Sequence, residues 1–359
     1  MSSPWRPWMQ RALQLAALAH GRTSPNPLVG CVVLDATGQL VGEGFHRRAG
    51  TPHAEVHALR QAGERARGGT AVVTLEPCCH HGRTPPCSEA LLAAGVARVV
   101  VAMQDPDPRV AGQGIAQLRA AGVEVIEAVC AAEAQRLNRS FVHRVQEGRP
   151  LGILKWAMSL DGRTALPNGS SQWISGPQAR AWVHQLRARC DAVIVGGGTL
   201  RADNPLLTSR GLRDPEPLRV VLSRSLDLPS DAQLWDQSRA PTLVVHGSTA
   251  SAQQRERLDA LRVERLALDP CEPRALMEHL AQRGCNQVLW ECGAELAASA
   301  LRQGCVQEVA AVLAPKLLGG QPAQTPLADL QLLDVNQAEP WAQQQLQQLG
   351  SDWLWRLEH

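Results

Sequence analysis

The chain has 359 residues, a net charge of +2 from 36 basic and 34 acidic side chains, 44% hydrophobic and 19% charged residues. That length predicts two domains, and the mix is globular, which excludes a disordered tail protein, a collagen and a coiled coil. Balanced charge and only 3% aromatic residues (ten Trp, two Phe, no Tyr) also exclude a protein built to grip nucleic-acid phosphates or stack single-stranded bases.

In chain order, residues 5–20 carry apolar side chains at helical spacing (Trp8, Ala12, Leu15, Ala16, Ala19). No apolar run reaches the ~18 residues of a membrane span. No small-residue cleavage site follows residues 12–20, so neither a membrane segment nor a signal peptide is predicted, and a cytoplasmic location is expected. The segment Thr23-Ser-Pro-Asn-Pro27 ends the helix. Strands are predicted at 29–34 and 38–44, a helix at 52–64 opening with His53-Ala-Glu55, a strand at 70–75 and a helix at 88–94 closed by Gly95. A strand at 96–102, a helix at 115–121 and a strand at 123–126 follow. This alternation implies a largely parallel sheet.

Glu147-Gly-Arg-Pro150 is the expected boundary, dividing residues 1–147 from 150–359. Beyond it strands are predicted at 151–157, 192–195, 219–222, 242–246, 287–291 and 306–313, with helices at 177–188, 273–283 and 295–303. Residues 321–348 are rich in Gln and Leu and carry no clear periodicity.

Three of the ten cysteines, Cys78, Cys79 and Cys87, crowd into ten residues. In a reducing compartment such a cluster points to metal before disulfide. His53, Cys78 and Cys87 supply one imidazole and two thiolates, a good Zn²⁺ set that leaves a fourth position for water. Zn²⁺ lowers the pKa of such a water toward ~7. Glu55, two residues from His53, is placed to shuttle a proton rather than to bind the metal. His-x-Glu followed by Pro-Cys and a second Cys is the pattern of zinc nucleobase deaminases, although eight residues rather than two separate Cys78 from Cys87. The choice of Cys78 over Cys79 rests on the Pro-Cys context. His57 reads as a core or rim residue, because Glu55 does not directly follow His53 as a His-Glu-x-x-His motif requires. His80 and His81 are either solvated loop residues or substrate contacts.

Together Thr23-Ser-Pro-Asn-Pro-Leu-Val-Gly30, His53-Ala-Glu-Val-His57 and Glu76-Pro-Cys-Cys-His-His-Gly-Arg-Thr-Pro-Pro-Cys87 resemble the bifunctional riboflavin-biosynthesis deaminase/reductase family. Ser159-Leu-Asp-Gly-Arg-Thr164, Ser171-Gln-Trp-Ile174, the run from Gly198 to Arg210 and Ala314-Pro-Lys-Leu-Leu-Gly319 extend the resemblance to about residue 320. It implies an N-terminal cytidine-deaminase-like three-layer α/β/α domain and a C-terminal dihydrofolate-reductase-like α/β domain. It also implies two consecutive reactions: zinc-dependent deamination of a diaminopyrimidine ribosyl phosphate, then NADPH-dependent reduction of its ribosyl group to ribityl. Carried over by motif, Asn26 would contact the pyrimidine, and Ser171, Arg187, Asp203, Leu207, Arg210 and Glu291 would bind the reductase substrate. Ala157, Trp173, Thr199 and Gly293 would bind NADPH. The expected partner is a small molecule, with neither nucleic acid nor membrane, and the resemblance implies a dimer or tetramer joined through the reductase domain.

In the second half, Val195-Gly-Gly-Gly-Thr199 and Glu291-Cys-Gly-Ala-Glu-Leu296 each follow a strand, where glycine permits close backbone approach to a phosphate or ribose. Neither is a Gly-x-Gly-x-x-Gly fingerprint, so a Rossmann domain is not implied. Lys155 is a weaker site candidate. Where the family usually shows an acidic residue after the strand at 219–222, this chain has Ser223-Arg224, a pair at a strand end that would hold the 2′-phosphate distinguishing NADPH from NADH. The competing readings are a nucleotide deaminase whose second domain only binds substrate, an RNA-editing protein, and a structural zinc protein. The last fits poorly, because three rather than four ligands are evident.

Overall fold

A computed structural model describes residues 3–80, 85–108 and 110–359. The chain forms two compact units, Met1–Gly148 and Arg149–His359. Among the described residues no helix is long and apolar enough to cross a membrane.

The first unit runs α1 (Arg6–Ala17), β1 (Gly30–Leu34), β2 (Leu40–Phe45), α2 (Ala54–Ala62), β3 (Thr70–Val73), α3 (Cys87–Ala94), β4 (Arg98–Val101), α4 (Gln113–Ala120), β5 (Glu124–Ile126), α5 (Ala131–Leu137) and α6 (Arg139–Glu147). Its sheet has the order β2-β1-β3-β4-β5. Only β3, β4 and β5 run parallel; β1 is antiparallel to both its neighbours. The expectation of a largely parallel sheet therefore fails at this end, since the short turn after β1 can only fold β2 back antiparallel. Helices cover both faces, which makes three layers. Gly30 and Gly44 sit on opposite faces: an added Cβ at Gly30 would lie 2.0 Å from the Ala12 carbonyl of α1, and one at Gly44 would lie 2.4 Å from the Ala54 carbonyl of α2. Glycine in β2 thus lets the first turn of α2, with His53 as its N-cap, settle directly on the sheet.

The second unit runs β6 (Leu151–Ser159), α7 (Pro177–Arg189), β7 (Ala192–Gly196), α8 (Gly197–Asp203), β8 (Leu218–Leu222), β9 (Thr242–His246), α9 (Ala252–Ala260), β10 (Glu264–Ala267), α10 (Pro273–Gln282), β11 (Gln287–Trp290), α11 (Ala294–Arg302), β12 (Glu308–Ala314), β13 (Ala342–Leu349) and β14 (Asp352–Glu358). The sheet order is β10-β9-β8-β7-β11-β6-β12-β14-β13, parallel from β10 to β12 and antiparallel in the last two strands. Its central strands read as unbroken apolar runs because both faces are buried. Ile153, Val193, Val221 and Leu289 join one core, while Leu154, Ile194, Val220 and Trp290 join the other.

Four helices and a strand escape the sequence pattern for identifiable reasons. In α6 only Phe141 is fully buried and its short apolar face sits in a mostly polar sequence, while α9 buries only Leu258 and shows no apolar stripe. Likewise α5 buries only Ala134, and β10 has no buried residue. The glycines after β7, read as a turn, begin α8. The end of the Gln-rich stretch forms β13, which folds back on β14, and β14 pairs on to β12.

Candidate active sites

In the first unit, β3 delivers the chain to Glu76-Pro77-Cys78, α2 begins at His53, and α3 begins at Cys87. One donor atom from each of His53, Cys78 and Cys87 lies within 4.8 Å of the other two. His53 Nδ1 is 3.2 Å from Cys87 Sγ and 3.6 Å from Cys78 Sγ, and the Cys87 backbone N–H donates to Cys78 Sγ at 3.3 Å. The Cys78 thiol is drawn down to about 4, first by its hydrogen bond with Cys87 and, against the effect of burial, by His53. Cys79 is directed elsewhere, its Sγ lying 3.9 Å from Gln113 Oε1. Glu55 is 3% exposed, its Oε2 has no hydrogen-bond partner, and burial pushes its carboxyl up to about 7. The imidazole, two sulfurs and nearby orphaned carboxylate oxygen fit a zinc ion with an adjoining proton carrier.

Asn26, His46, His53, Glu55, Cys78, His80, Asp105 and Arg144 all line one cavity of about 920 Å³. Asn26 Nδ2 is 3.1 Å from His46 Nε2, and the His46 ring stands edge-on to His53 at 5.2 Å. His57 is outside the cavity lining and packs behind it against Gly44. His81 lies outside the described residues. His46, Asp105 and Arg144 were not singled out from sequence, since none belongs to a recognisable motif.

Glu76 holds this site together. Its carboxylate is 4% exposed and accepts hydrogen bonds from the backbone N–H groups of Asp105 (3.2 Å), Gly112 (2.9 Å), Gly114 (2.9 Å) and Ile115 (3.2 Å). It thereby satisfies otherwise unpaired donors at the N-terminus of α4. Gly114 is needed there, because a Cβ would fall 1.9 Å from the Pro77 carbonyl oxygen.

In the second unit, Ala157, Ser171, Trp173, Arg187, Thr199, Asp203, Leu207, Arg210, Glu291 and Gly293 line one cavity of about 770 Å³. Arg187 donates from Nε and Nη2 to the two carboxylate oxygens of Glu291 at 2.5 and 2.9 Å, and from Nη1 to the Thr208 carbonyl at 3.1 Å. Burial pushes the Glu291 carboxyl up, but the guanidinium outweighs it and holds the group below the ordinary carboxylate range. Burial pushes Lys155, in the same lining, down, with Glu291 opposing. Ser171 Oγ donates to Asp203 Oδ1 at 2.9 Å, and the Gly293 N–H donates to Thr199 Oγ1 at 3.1 Å. Trp173 is 61% exposed, with the Arg180 guanidinium 4.7 Å from its ring centroid. An added Cβ at Gly198 would meet nothing within 4 Å, so that backbone is open to a ligand. Asn204, Leu207 and Arg210 all adopt positive φ (39°, 57° and 60°), a strained run for non-glycine residues that turns Leu207 inward and leaves Arg210 at the rim. His184, a further lining residue, has a buried Nδ1 without a partner, and no motif marks it in the sequence. Ser223 and Arg224 are not part of this lining. They stand at the carboxyl end of β8, with Ser223 Oγ beside Gly197.

The chain matches the model of the cytidine and deoxycytidylate deaminase zinc-binding region over residues 4–103 and that of the RibD C-terminal domain over residues 150–355. It is 53% identical over 346 residues to a riboflavin biosynthesis protein RibD from Synechocystis, covering 96% of this chain and 94% of the relative. The chain belongs to the RibD family of riboflavin biosynthesis proteins. The RibD of Escherichia coli is 45% identical over 323 residues, covering 87% of this chain and 88% of the relative. Among solved structures, Acinetobacter baumannii RibD superposes with a TM-score of 0.89 at 42% identity over 98% of both chains. A Thermotoga maritima diaminohydroxyphosphoribosylaminopyrimidine deaminase/5-amino-6-(5-phosphoribosylamino)uracil reductase superposes with 0.87 at 34% identity over 99% of this chain and 98% of that one. Membership makes this a two-activity enzyme of riboflavin biosynthesis, a zinc-dependent deaminase joined to an NADPH-dependent reductase. The expected cytidine-deaminase-like and reductase folds are those found.

Replacing Glu76 with Gln turns an amide toward converging N–H donors. It is expected to destabilise the protein by about 2–4 kcal/mol and to weaken zinc retention. Urea unfolding read alongside metal content checks this; an unchanged midpoint with full zinc would remove Glu76 from the role described.

Proposed function

We propose that the first unit removes the 2-amino group of 2,5-diamino-6-ribosylamino-4(3H)-pyrimidinone 5′-phosphate, and that the second reduces the ribosyl group to give 5-amino-6-ribitylamino-uracil 5′-phosphate. The carrying observation is the convergence of His53, Cys78 and Cys87 within 4.8 Å beside a buried Glu55. In this reading those three side chains hold Zn²⁺, whose Lewis acidity makes water nucleophilic at neutral pH. Glu55 carries a proton at Oε2 from the attacking water to the departing ammonia. Asn26, braced by His46, orients the pyrimidine ring.

In the second unit NADPH supplies hydride. Thr199 and Gly293, hydrogen-bonded to each other, form its cradle with Ala157 and Trp173, and the backbone at Gly198 admits its close approach. Ser171 and Asp203 hold sugar hydroxyls. Arg187 already commits three of its five N–H donors within the protein, so it acts mainly by orienting Glu291. Arg210 makes no hydrogen bond or ion pair among the described residues and takes the substrate phosphate, with Leu207 packing beneath. Lys155, its ammonium destabilised by burial, is suited to deliver the proton that accompanies hydride transfer.

The chain is further proposed to be a cytoplasmic homo-oligomer. Trp353 (43% exposed), Trp355 (47%) and Leu346 (53%) share one sheet face on β13 and β14, and a second copy is the occupant proposed for it. Sedimentation should show more than one chain for the native protein and a shift to smaller species for Trp355→Glu; identical assemblies would dismiss this face.

The two activities separate by mutation. Glu55→Gln is expected to lower ammonia release at least 10³-fold while pre-deaminated substrate is still reduced, as read by NADPH absorbance. Collapse of reduction in a folded, zinc-loaded variant would refute the assignment of the two units. Arg224→Ala is expected to raise KM for NADPH about tenfold or more and to leave KM for NADH within about twofold. Parallel steady-state titrations decide this, and equal changes would exclude Arg224 from the 2′-phosphate.

A further inference from the structure

The deaminase cavity is lined by acidic side chains, whereas its substrate, as proposed, carries a phosphate. Glu55, Glu76, Asp105 and Asp107 line it, and among its described lining residues Arg144 is the only Lys or Arg. Glu76 is satisfied by backbone N–H donors and Glu55 stands at the metal-type cluster, but a phosphate dianion entering past Asp105 and Asp107 still needs a fixed cation to offset repulsion. A guanidinium is suited to that task, since its planar fork can meet two phosphate oxygens at once.

The position of Arg144 fits a group at the far end of a nucleotide-sized ligand. From the metal-type cluster, His53 meets His46 ring to ring at 5.2 Å, and His46 Nε2 reaches Asn26 Nδ2 at 3.1 Å. The neighbouring residue, Pro25, accepts a hydrogen bond through its carbonyl from Arg144 Nη2 at 2.9 Å. The cavity wall therefore runs from metal ligands, through the ring-facing asparagine, to a half-buried cation. Arg144 is also held in place. Its guanidinium lies 5.7 Å from the centroid of the Phe141 ring one turn earlier on α6, and the Pro25 contact fixes one edge. Five N–H donors serve more than one acceptor, so the anchoring contact is compatible with a second oxyanion partner.

We propose that Arg144 binds the 5′-phosphate of the deaminase substrate and makes this site select the phosphorylated pyrimidine over its free riboside. The inference rests on the deaminase reading above and deepens it: α6 becomes the specificity element of the first reaction.

The test measures ammonia release from the diaminopyrimidine ribosyl phosphate and from the corresponding riboside, on zinc-loaded full-length protein, for wild type, Arg144→Gln and Arg144→Lys. Metal content and unfolding midpoint accompany each assay. The ratio of kcat/KM for phosphate over riboside should fall about 10- to 100-fold in Arg144→Gln, mainly through KM, with partial recovery in Arg144→Lys. Ribose 5-phosphate should compete with substrate in wild type and lose most of that effect in Arg144→Gln. If the ratio is unchanged, including the case where both substrates suffer equally, Arg144 merely braces the Pro25 turn and the proposal falls. If zinc-loaded wild type releases no ammonia from either compound, the deaminase reading itself fails, and this inference with it.

Discussion

Four backbone N–H groups converge on the buried carboxylate of Glu76, and the first active site depends on that convergence. Glu76 lies two residues before Cys78, so any freedom in its carboxylate becomes freedom in the sulfur that must meet His53 and Cys87. A metal site tolerates little such freedom, because its donors must converge on one point before the ion binds. Tying the loop to the N-terminus of α4 converts a local sequence, Glu-Pro-Cys, into a fixed angle of approach. The glycines of β2 do the same for the other ligand, allowing α2 to descend until His53 and Glu55 reach the cavity. A buried anion matched by helix-terminal donors on one side and close helix-strand packing on the other together bring His53, Cys78 and Cys87 to one place.

The second unit solves a different problem. Hydride transfer needs two ligands side by side, and its cavity is walled by the carboxyl ends of parallel strands and the turns that follow them. The buried Arg187–Glu291 pair spans α7 and the end of β11, with side-chain exposures of 13% and 11%. A pair so desolvated contributes little net stability by itself, yet breaking it would strand a charge, so it functions best as a positioning device. The positive-φ run at Asn204, Leu207 and Arg210 belongs to the same economy of placement. Backbone strain persists there because the surrounding packing over-determines it, and its effect is to turn Leu207 into the core while Arg210 stays at the rim.

Much of this was legible in the sequence. The zinc-type trio and Glu55 could be read from residue type and spacing, because metal coordination demands specific donor atoms. The alternating strands and helices with two-sided cores were readable because burial imposes a period on apolar residues. By contrast α5, α6, α8, α9 and β10 are short, bury few side chains or begin with glycines, and so do not stand out from the surrounding polar sequence. The parallel expectation failed for β1 and β2 because strand direction follows from connection length rather than side-chain pattern. Among binding residues, motif resemblance grouped ten that line one reductase cavity, while Ser223 and Arg224 stand apart from it at the end of β8.

What the sequence determined by itself was chemistry: which side chains are able to bind zinc, carry a proton or meet a phosphate, and the family whose motifs they complete. Only the tertiary structure decided partnership. Arg187 is turned on to Glu291 while Arg210 remains at the rim, Cys79 turns toward Gln113, and Arg144 from α6 joins the lining of the deaminase cavity. The physical reason is that donor type is a property of one residue. Whether a donor meets a ligand, a carboxylate or a backbone carbonyl depends on elements distant along the chain, and those distances are set by packing.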